Sequence, residues 1–158
     1  MRCKGAIERD TNWYKGWHIW AYVHYRAVSH LEKQNKNHPK LDQHLLPAVT
    51  GFIRSVALAP YDNLQDTLRL LTLWFKYGAR RDIETAVNDG FDTLNVDTWL
   101  GVIPQLMARI HIPVRSVRHG IHKLLTALGK KHPQALVFPL SVAAKVSATM
   151  FDQMLTRV

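Results

Sequence analysis

The chain has 158 residues, of which 47% are hydrophobic, and this length suits one domain or a few helical repeats. Lys and Arg number 21 against 12 Asp and Glu, and the resulting formal charge of +9 permits nucleic-acid, anionic-lipid or acidic-protein partners without choosing among them. The single cysteine, Cys3, excludes a disulfide framework, and because neither a signal-peptide core nor a membrane span of about 20 apolar residues is visible, we expect a soluble intracellular protein.

The first predicted helix covers residues 13–31, with Asp10 or Thr11 as its N-cap. Its apolar stripe contains three tryptophans at helical spacing: Trp13, Trp17 and Trp20. Such spacing is typical of packing against a neighbouring helix, although exposed aromatic side chains can also stack on bases. Residues 32–44 are polar and are predicted to end this helix and form a solvated loop.

Two apolar helices follow. The first covers residues 45–59 and is predicted to carry Pro47 in its first turn. The second, NLQDTLRLLTLWFKYG, has Asn63 as N-cap and Gly78 as a left-handed stop. Its predicted core residues are Leu68, Leu71, Trp74 and Phe75.

The middle of the chain is predicted to hold shorter or interrupted helices. Residues 81–89 form a short helix ended by Gly90. Asp97 or Thr98 opens the next helix, TWLGVIPQLMARI, which Pro104 interrupts.

The last third is predicted to form two helices and a weaker tail. Pro113 starts PVRSVRHGIHKLLTALG, and Gly129 stops it. In HPQALVFPLSVAAK, residues 132–145, Pro133 suits the first helical position, but Pro139 removes a hydrogen bond in mid-pattern. The tail residues with helical spacing are Met150, Phe151, Met154 and Leu155.

Short connections between successive helices predict antiparallel neighbours. Successive pairs would span about 30 to 40 residues, which is the period of helical repeat proteins. The sequence therefore predicts an all-α fold, an α-solenoid of antiparallel helix pairs similar to tetratricopeptide and HEAT repeats. Curvature between layers of such an array can absorb a mid-helix proline.

No catalytic or metal-binding motif is visible. Nine histidines are scattered, with His119 and His122 three apart and His18 and His24 six apart, but zinc needs three or four converging ligands. The sequence has no nucleophile elbow and no phosphate-binding glycine loop. Three acidic residues are candidates for an acid/base pair but are more simply interpreted as helix caps or solvated residues: Asp10, Glu84 and Asp97.

Basic residues form two candidate anion-binding features. Arg80 and Arg81 adjoin at a helix start. A loose basic strip comprises Arg115, Arg118, His119, His122, Lys123, Lys130, Lys131 and His132. Phosphate binding needs cations clustered in three dimensions, and the alternative is a solvated helix face.

Three long stretches, NLQDTLRLLTLWFKYG, DTWLGVIPQLMARI and HPQALVFPLSVAAK, in that order, resemble the FAT region of target of rapamycin, a phosphatidylinositol 3-kinase-related serine/threonine protein kinase. WYKGWHIWAYVHYRAV resembles that family's helix before a variable polar insertion, whose place residues 32–44 take here. The resemblance covers residues 11–146, so we divide the chain into a FAT-like segment, 1–146, and a divergent C-terminal helix, 147–158.

The resemblance implies a non-catalytic scaffold: an α-solenoid that clamps and positions the kinase domain, with that domain and the subunits of its complex as partners. No kinase motif is present, so we expect no phosphotransferase activity. The family also binds inositol hexakisphosphate in a basic pocket, to which Lys15 is assigned; the other cations would come from upstream sequence, and a weakened site is expected. Cytoplasmic location follows, with nuclear or endomembrane association through the complex.

Two other hypotheses remain open at this point: a free-standing basic helical-repeat module that binds nucleic acid or anionic partners, and a degenerate remnant of a longer protein. The first residue lies inside the family's FAT region, so a fragment, a truncated product and a diverged paralogue are all compatible with the sequence. We also expect self-association or capture of a partner helix through Trp13, Trp17 or Trp20, because a solenoid cut at its ends exposes apolar faces.

Overall fold

A computed structural model describes residues 5, 7, 9–35, 38–59 and 63–155, and the side chains up to residue 145. Within these ranges every regular element is helical, which confirms the all-α prediction. The elements are α1 (Tyr14–Gln34), α2 (Asp42–Leu58), α3 (Leu64–Tyr77), α4 (Arg81–Phe91), a 3₁₀ segment (Val96–Val102), α5 (Ile103–Met107), α6 (Arg115–Lys131) and α7 (Pro133–Leu155). None of the described helices is both long and apolar enough to cross a bilayer.

Helices α1 and α2 form a closely packed antiparallel pair. A Cβ atom built on Gly51, late in α2, would lie 2.9 Å from the Cβ of Ala21, early in α1. Further along α1, His24 contacts His44 at the start of α2. The two helix axes therefore approach closely along most of their length. Helices α3 and α4 both pack on α2, and α7 packs on α5 and α6, so the helices pair as a helical solenoid requires.

The core is one continuous apolar cluster, with aromatic residues at its centre. The ring of Phe91 lies 5.0 Å from the ring of Trp74 and 4.5 Å from that of Trp99, measured between centroids. Leu71 and Trp74 are buried, as predicted. The other two predicted core residues, Leu68 and Phe75, are half-buried and pack against the cluster.

Of the two predicted ends of α3, the N-cap at Asn63 is confirmed and the left-handed stop at Gly78 is wrong. The Asn63 side chain accepts a hydrogen bond from the Asp66 backbone N–H, so it caps the helix as predicted. Gly78 ends the helix, but its φ of −68° is right-handed, so the predicted left-handed stop is wrong. Glycine is needed there for close packing, because a Cβ atom would lie 2.5 Å from Cγ2 of Val117 on α6.

Two other glycines predicted to stop helices lie inside them. Helix α4 continues to Phe91 and therefore includes Gly90. A Cβ atom at Gly90 would lie 2.5 Å from Cδ1 of Ile53, so this glycine allows α4 to approach α2. Helix α6 likewise continues past Gly129 to Lys131.

The polar loop is shorter than predicted, because α1 extends to Gln34 and α2 begins at Asp42. Pro47 therefore lies in the second turn of α2 rather than in its first turn. Trp13 occupies the N-cap position of α1 and makes no side-chain cap bond. The prediction that Asp10 or Thr11 caps this helix is wrong.

The prolines in the second half of the chain have clearer roles. Pro104 lies in the first turn of α5, directly after the 3₁₀ segment, so it begins a helix instead of interrupting one. Pro133 begins α7, as predicted, and Pro139 lies inside it without ending it. The proposed boundary between residues 146 and 147 falls within this continuous helix, and the side chains of the four apolar tail residues lie outside the described part.

Candidate functional site

Lys15, the residue assigned to an inositol phosphate, is exposed in the first turn of α1. One turn further along, the imidazole of His18 stacks on the ring of Tyr22 with centroids 6.2 Å apart. The guanidinium groups of Arg69 and Arg26 lie 4.9 Å and 5.9 Å from the same ring. We call Tyr22 with His18, Arg26 and Arg69 the Tyr22 cluster. It places three nitrogen-rich side chains around the Tyr22 ring, where α1 meets α3.

A buried carboxylate contacts two members of this cluster, His18 and Arg69. Asp66 is fully buried, and its Oδ2 accepts hydrogen bonds from Ser55 Oγ at 2.7 Å and Asn63 Nδ2 at 2.8 Å. His18 Nδ1 lies 2.7 Å from the same oxygen, and Arg69 donates to Oδ1 at 2.9 Å. One carboxylate therefore joins α1, α2 and α3, and it partly neutralises the Arg69 guanidinium.

The structure separates the basic strip into a neutralised part and an unpaired part. Lys123 donates to Asp92 at 2.7 Å, and Lys131 donates to Asp97 at 2.9 Å. The hydrogen bond from Lys131, followed by that from His132, holds the pKa of Asp97 below its ordinary value. Two of the eight residues of the predicted strip, Lys123 and Lys131, are therefore engaged in intramolecular ion pairs, and His132 also contacts Asp97.

Arg80 is also neutralised. Its guanidinium group bonds Asp42 and Asp82, and the hydrogen bond from Arg80 lowers the pKa of the Asp82 carboxyl. Arg80 consequently ties the start of α2 to the start of α4. Its neighbour Arg81 is exposed.

The unpaired part of the strip lines an open groove between α4 and α6. The lining residues are Glu84, Arg115, Ser116, Arg118, His119 and His122. The three candidate acid/base residues lie in different surroundings. Asp10 accepts a hydrogen bond from the Asn12 backbone N–H, and Glu84 lines this groove. Asp97 contacts Lys131 and His132.

The histidines do not converge on a metal site within the described residues, where no group of three potential ligands comes together. His24 is buried and faces His44, with 2.9 Å between the two Nδ1 atoms. Burial, and to a smaller extent His44, lowers the pKa of His24. This pair is a contact between α1 and α2.

The tryptophans of α1 are mostly used in packing. Trp17 donates its indole N–H to the Thr11 carbonyl at 2.8 Å. Trp20 packs edge-on against His24 with ring centroids 4.4 Å apart. Trp13 is 40% exposed, and self-association through this face remains a prediction. Cys3 lies outside the described residues.

Sequence reasoning missed the Asp66 network and the His24–His44 contact. The sequence pattern alone favours Asp66 only as a first-turn acid of α3, and it places Ser55 within the apolar helix of residues 45–59. A serine and an aspartate in otherwise apolar helical stripes are the available signal, because a buried polar group needs a partner.

Comparison with known proteins identifies the family. Residues 3–72 match the family model of the FAT domain. The chain is 45% identical over 138 residues to serine/threonine-protein kinase tor1 of Schizosaccharomyces pombe, covering 86% of this chain. It is 43% identical over 159 residues to serine/threonine-protein kinase mTor of Drosophila melanogaster, and 46% identical over 151 residues to serine/threonine-protein kinase TOR of Arabidopsis thaliana, covering 89% and 90% of this chain.

The chain spans about 6% of the length of these relatives. The matches extend over 86–90% of this chain. The chain is therefore a segment homologous to the FAT region of target-of-rapamycin serine/threonine kinases.

Proposed function

We propose that this chain is a non-catalytic scaffold segment that packs against, and helps to position, the kinase domain of a target-of-rapamycin-type kinase in the cytoplasm. The observation that carries the proposal is the identity of 43–46% with three such kinases across 86–90% of the chain. Its partners would be that kinase domain and other subunits of the same assembly.

The structure offers a surface suited to such packing. Helix α7 buries Leu136 but leaves four apolar side chains exposed: Val137, Phe138, Leu140 and Val142. Phe138 is the most exposed of them, at 76%. Contiguous exposed apolar residues on a soluble helix are typical of interaction surfaces. By the resemblance, α7 would lie next to the elements that lead into the kinase lobes.

The proposal is tested by mixing the chain with the kinase region of the fission-yeast relative, prepared without its own matched segment, and measuring complex formation by sedimentation velocity. We expect an equimolar complex that Phe138→Asp weakens by at least about tenfold, because a charge would be buried in an apolar contact. Leu64→Asp, at a leucine that is 47% exposed on α3, serves as the matched control and should leave the complex intact. A folded chain that forms no complex contradicts the proposal.

We further propose that Lys15 contributes to an inositol hexakisphosphate site together with the Tyr22 cluster. Multiple phosphates require several cations within reach. Arg26 and Arg69 lie against the Tyr22 ring, and Lys15 precedes Tyr22 by two helical turns, about 10.5 Å along the same face of α1. Asp66 offsets part of this charge, so the residues described here fit a weak site rather than a tight one.

A further inference from the structure

Helix α6 carries a cationic stripe on the side opposite its buried face. Arg115, Arg118, His119 and His122 recur at i, i+3, i+4 and i+7, so they share one face of the helix, and all four are exposed. The opposite face is buried through Val117, Ile121, Leu124, Leu125 and Leu128. The orientation of the stripe is therefore fixed by the core.

A second contact fixes the position of this stripe relative to α4. Ser116 donates its hydroxyl to the Gly78 carbonyl at 2.7 Å, which ties the first turn of α6 to the end of α3. Glu84 of α4 lines the other side of the resulting groove, whose volume is about 640 Å³. The groove is thus a defined concave surface between two helices.

The cations in this groove retain binding capacity. The side chains of Arg115 and His119 make no hydrogen bond or ion pair with any part of the chain that the structure describes. Arg118 and His122 contact only the backbone carbonyls of Ile112 and Ile110. By contrast, Lys123 on the same helix is already paired with Asp92.

We propose that the groove between α4 and α6 binds an acidic segment of a partner protein, with carboxylates spaced about one helical turn apart. From Arg115 to His122 the helix rises by about 10.5 Å, which matches two or three carboxylates of a short peptide. Guanidinium groups bind carboxylates through paired hydrogen bonds, and the two imidazoles add further N–H donors.

A nucleic acid fits the groove less well. Its binding usually needs an extended track of cations and aromatic platforms for the bases. None of the groove-lining residues is Phe, Tyr or Trp, and the charged track is interrupted by Glu84 and by the neutralised Lys123–Asp92 pair. The short stripe therefore favours a peptide.

The test measures binding of a fluorescent peptide of alternating Glu and Ala to the full chain by anisotropy, with the corresponding Lys–Ala peptide and a thymidine oligonucleotide as probes for comparison. The double variant Arg115→Gln with Arg118→Gln should weaken binding of the Glu peptide by roughly tenfold, since it removes two exposed ion pairs. Glu84→Gln should strengthen binding by about twofold, because it removes a like charge.

The matched control is Lys123→Gln, which removes one positive charge from the same helix but outside the groove, and it should change the affinity by less than about twofold. NMR shift changes on adding the Glu peptide should map to residues 115–122. Loss of affinity in Lys123→Gln equal to that in the double variant would show non-specific charge attraction and overturn the proposal. Tighter binding of the oligonucleotide, sensitive to the same double variant, would overturn it in favour of nucleic acid, and absence of Glu-peptide binding would overturn it outright.

Discussion

The imidazole Nδ1 of His18 on α1 lies 2.7 Å from Oδ2 of the fully buried Asp66 on α3. Because Ser55 of α2 donates to the same oxygen, one carboxylate connects three helices that are separated in sequence. Apolar contacts alone allow helices to slide by a turn at modest cost, whereas a buried charge requires its donors in place. This relationship therefore sets the register of the first three helices.

Asp66→Ala should lower the free energy of unfolding by about 1 to 3 kcal/mol, because it leaves the buried Ser55 hydroxyl and the half-buried Asn63 and Arg69 donors without their acceptor. Urea denaturation followed by circular dichroism measures the change. Asp89→Ala removes an exposed acid from α4 and should stay within about 0.5 kcal/mol. Equal effects of the two variants would show that the network does not stabilise the fold.

Leu71→Ala should destabilise the chain by about 2 to 5 kcal/mol, because Leu71 is buried in the apolar cluster and its truncation leaves a cavity. Leu64→Ala deletes the same atoms from a leucine on the exposed side of the same helix, so it should lower the free energy of unfolding much less. Thermal or urea unfolding of both variants provides the comparison. A loss below about 0.5 kcal/mol for Leu71→Ala would mean that this face of α3 is not packed.

Gly90→Ala should lower the free energy of unfolding of the chain, although alanine stabilises a helix by about 1 kcal/mol relative to glycine. The added Cβ would lie 2.5 Å from Cδ1 and 2.8 Å from Cγ2 of Ile53, so rotation of the Cδ1 methyl about χ2, which leaves Cγ2 in place, does not relieve the contact. Overpacking of this kind costs about 1 to 3 kcal/mol.

The double variant Gly90→Ala with Ile53→Ala should lose less stability than the sum of the single changes, because the crowded atoms are gone. Gly101→Ala is the control, since its nearest neighbour, Leu64, would lie at 3.5 Å. Strict additivity would refute the close approach of α2 and α4 at this point.

Stability should fall as the pH drops through about 6.5. The pKa of His24 is lowered from 6.5 by burial and then by His44, so the unfolded chain takes up a proton that the folded chain resists. The stability that neutral His24 contributes is fully present above the pKa of His24 in the unfolded chain, and it is lost as the pH falls below that value. The lowered pKa values of Asp82 and Asp97 act nearer 3.8, below this window.

The measurement is the free energy of unfolding at about pH 7.5 and pH 5.5. His24→Phe should reduce the difference between the two values. His30→Phe, at an exposed histidine of the same helix, should leave it unchanged. An unaltered pH dependence in His24→Phe would exclude His24 as its source.

Lys15→Gln should weaken binding of inositol hexakisphosphate by several-fold in isothermal titration calorimetry, because it removes an exposed cation from the helix that carries His18, Tyr22 and Arg26. Lys33→Gln is a matched control, since this lysine is exposed on the same helix about 27 Å further along. Similar losses in both variants would indicate general charge attraction instead of a site.

Helical periodicity was sufficient to predict the main helices, and Leu71 and Trp74 as core residues, because a 3.6-residue apolar stripe and an asparagine cap act locally. The three glycines were misjudged for a physical reason. A glycine after an apolar stripe is typical of a helix stop, but at Gly78 and Gly90 it accommodates Val117 and Ile53 from distant helices. Sequence spacing contains no information on such approaches.

The candidate sites were likewise only partly predictable from the sequence. The basic residues of α6 were visible in the sequence, but the ion pairs of Lys123 and Lys131 with Asp92 and Asp97 connect residues more than thirty positions apart. Only the fold shows which cations remain unpaired. The same holds for Asp66, whose four partners come from three helices and a loop.

The scaffold proposal is tested most directly by replacing the matched segment of the fission-yeast relative with this chain and measuring the protein kinase activity of the purified chimera. We predict activity close to that of the unaltered kinase, and loss of that activity when the inserted chain carries Asp66→Ala. A stable, folded chimera without kinase activity would contradict the proposal that this chain positions a kinase domain.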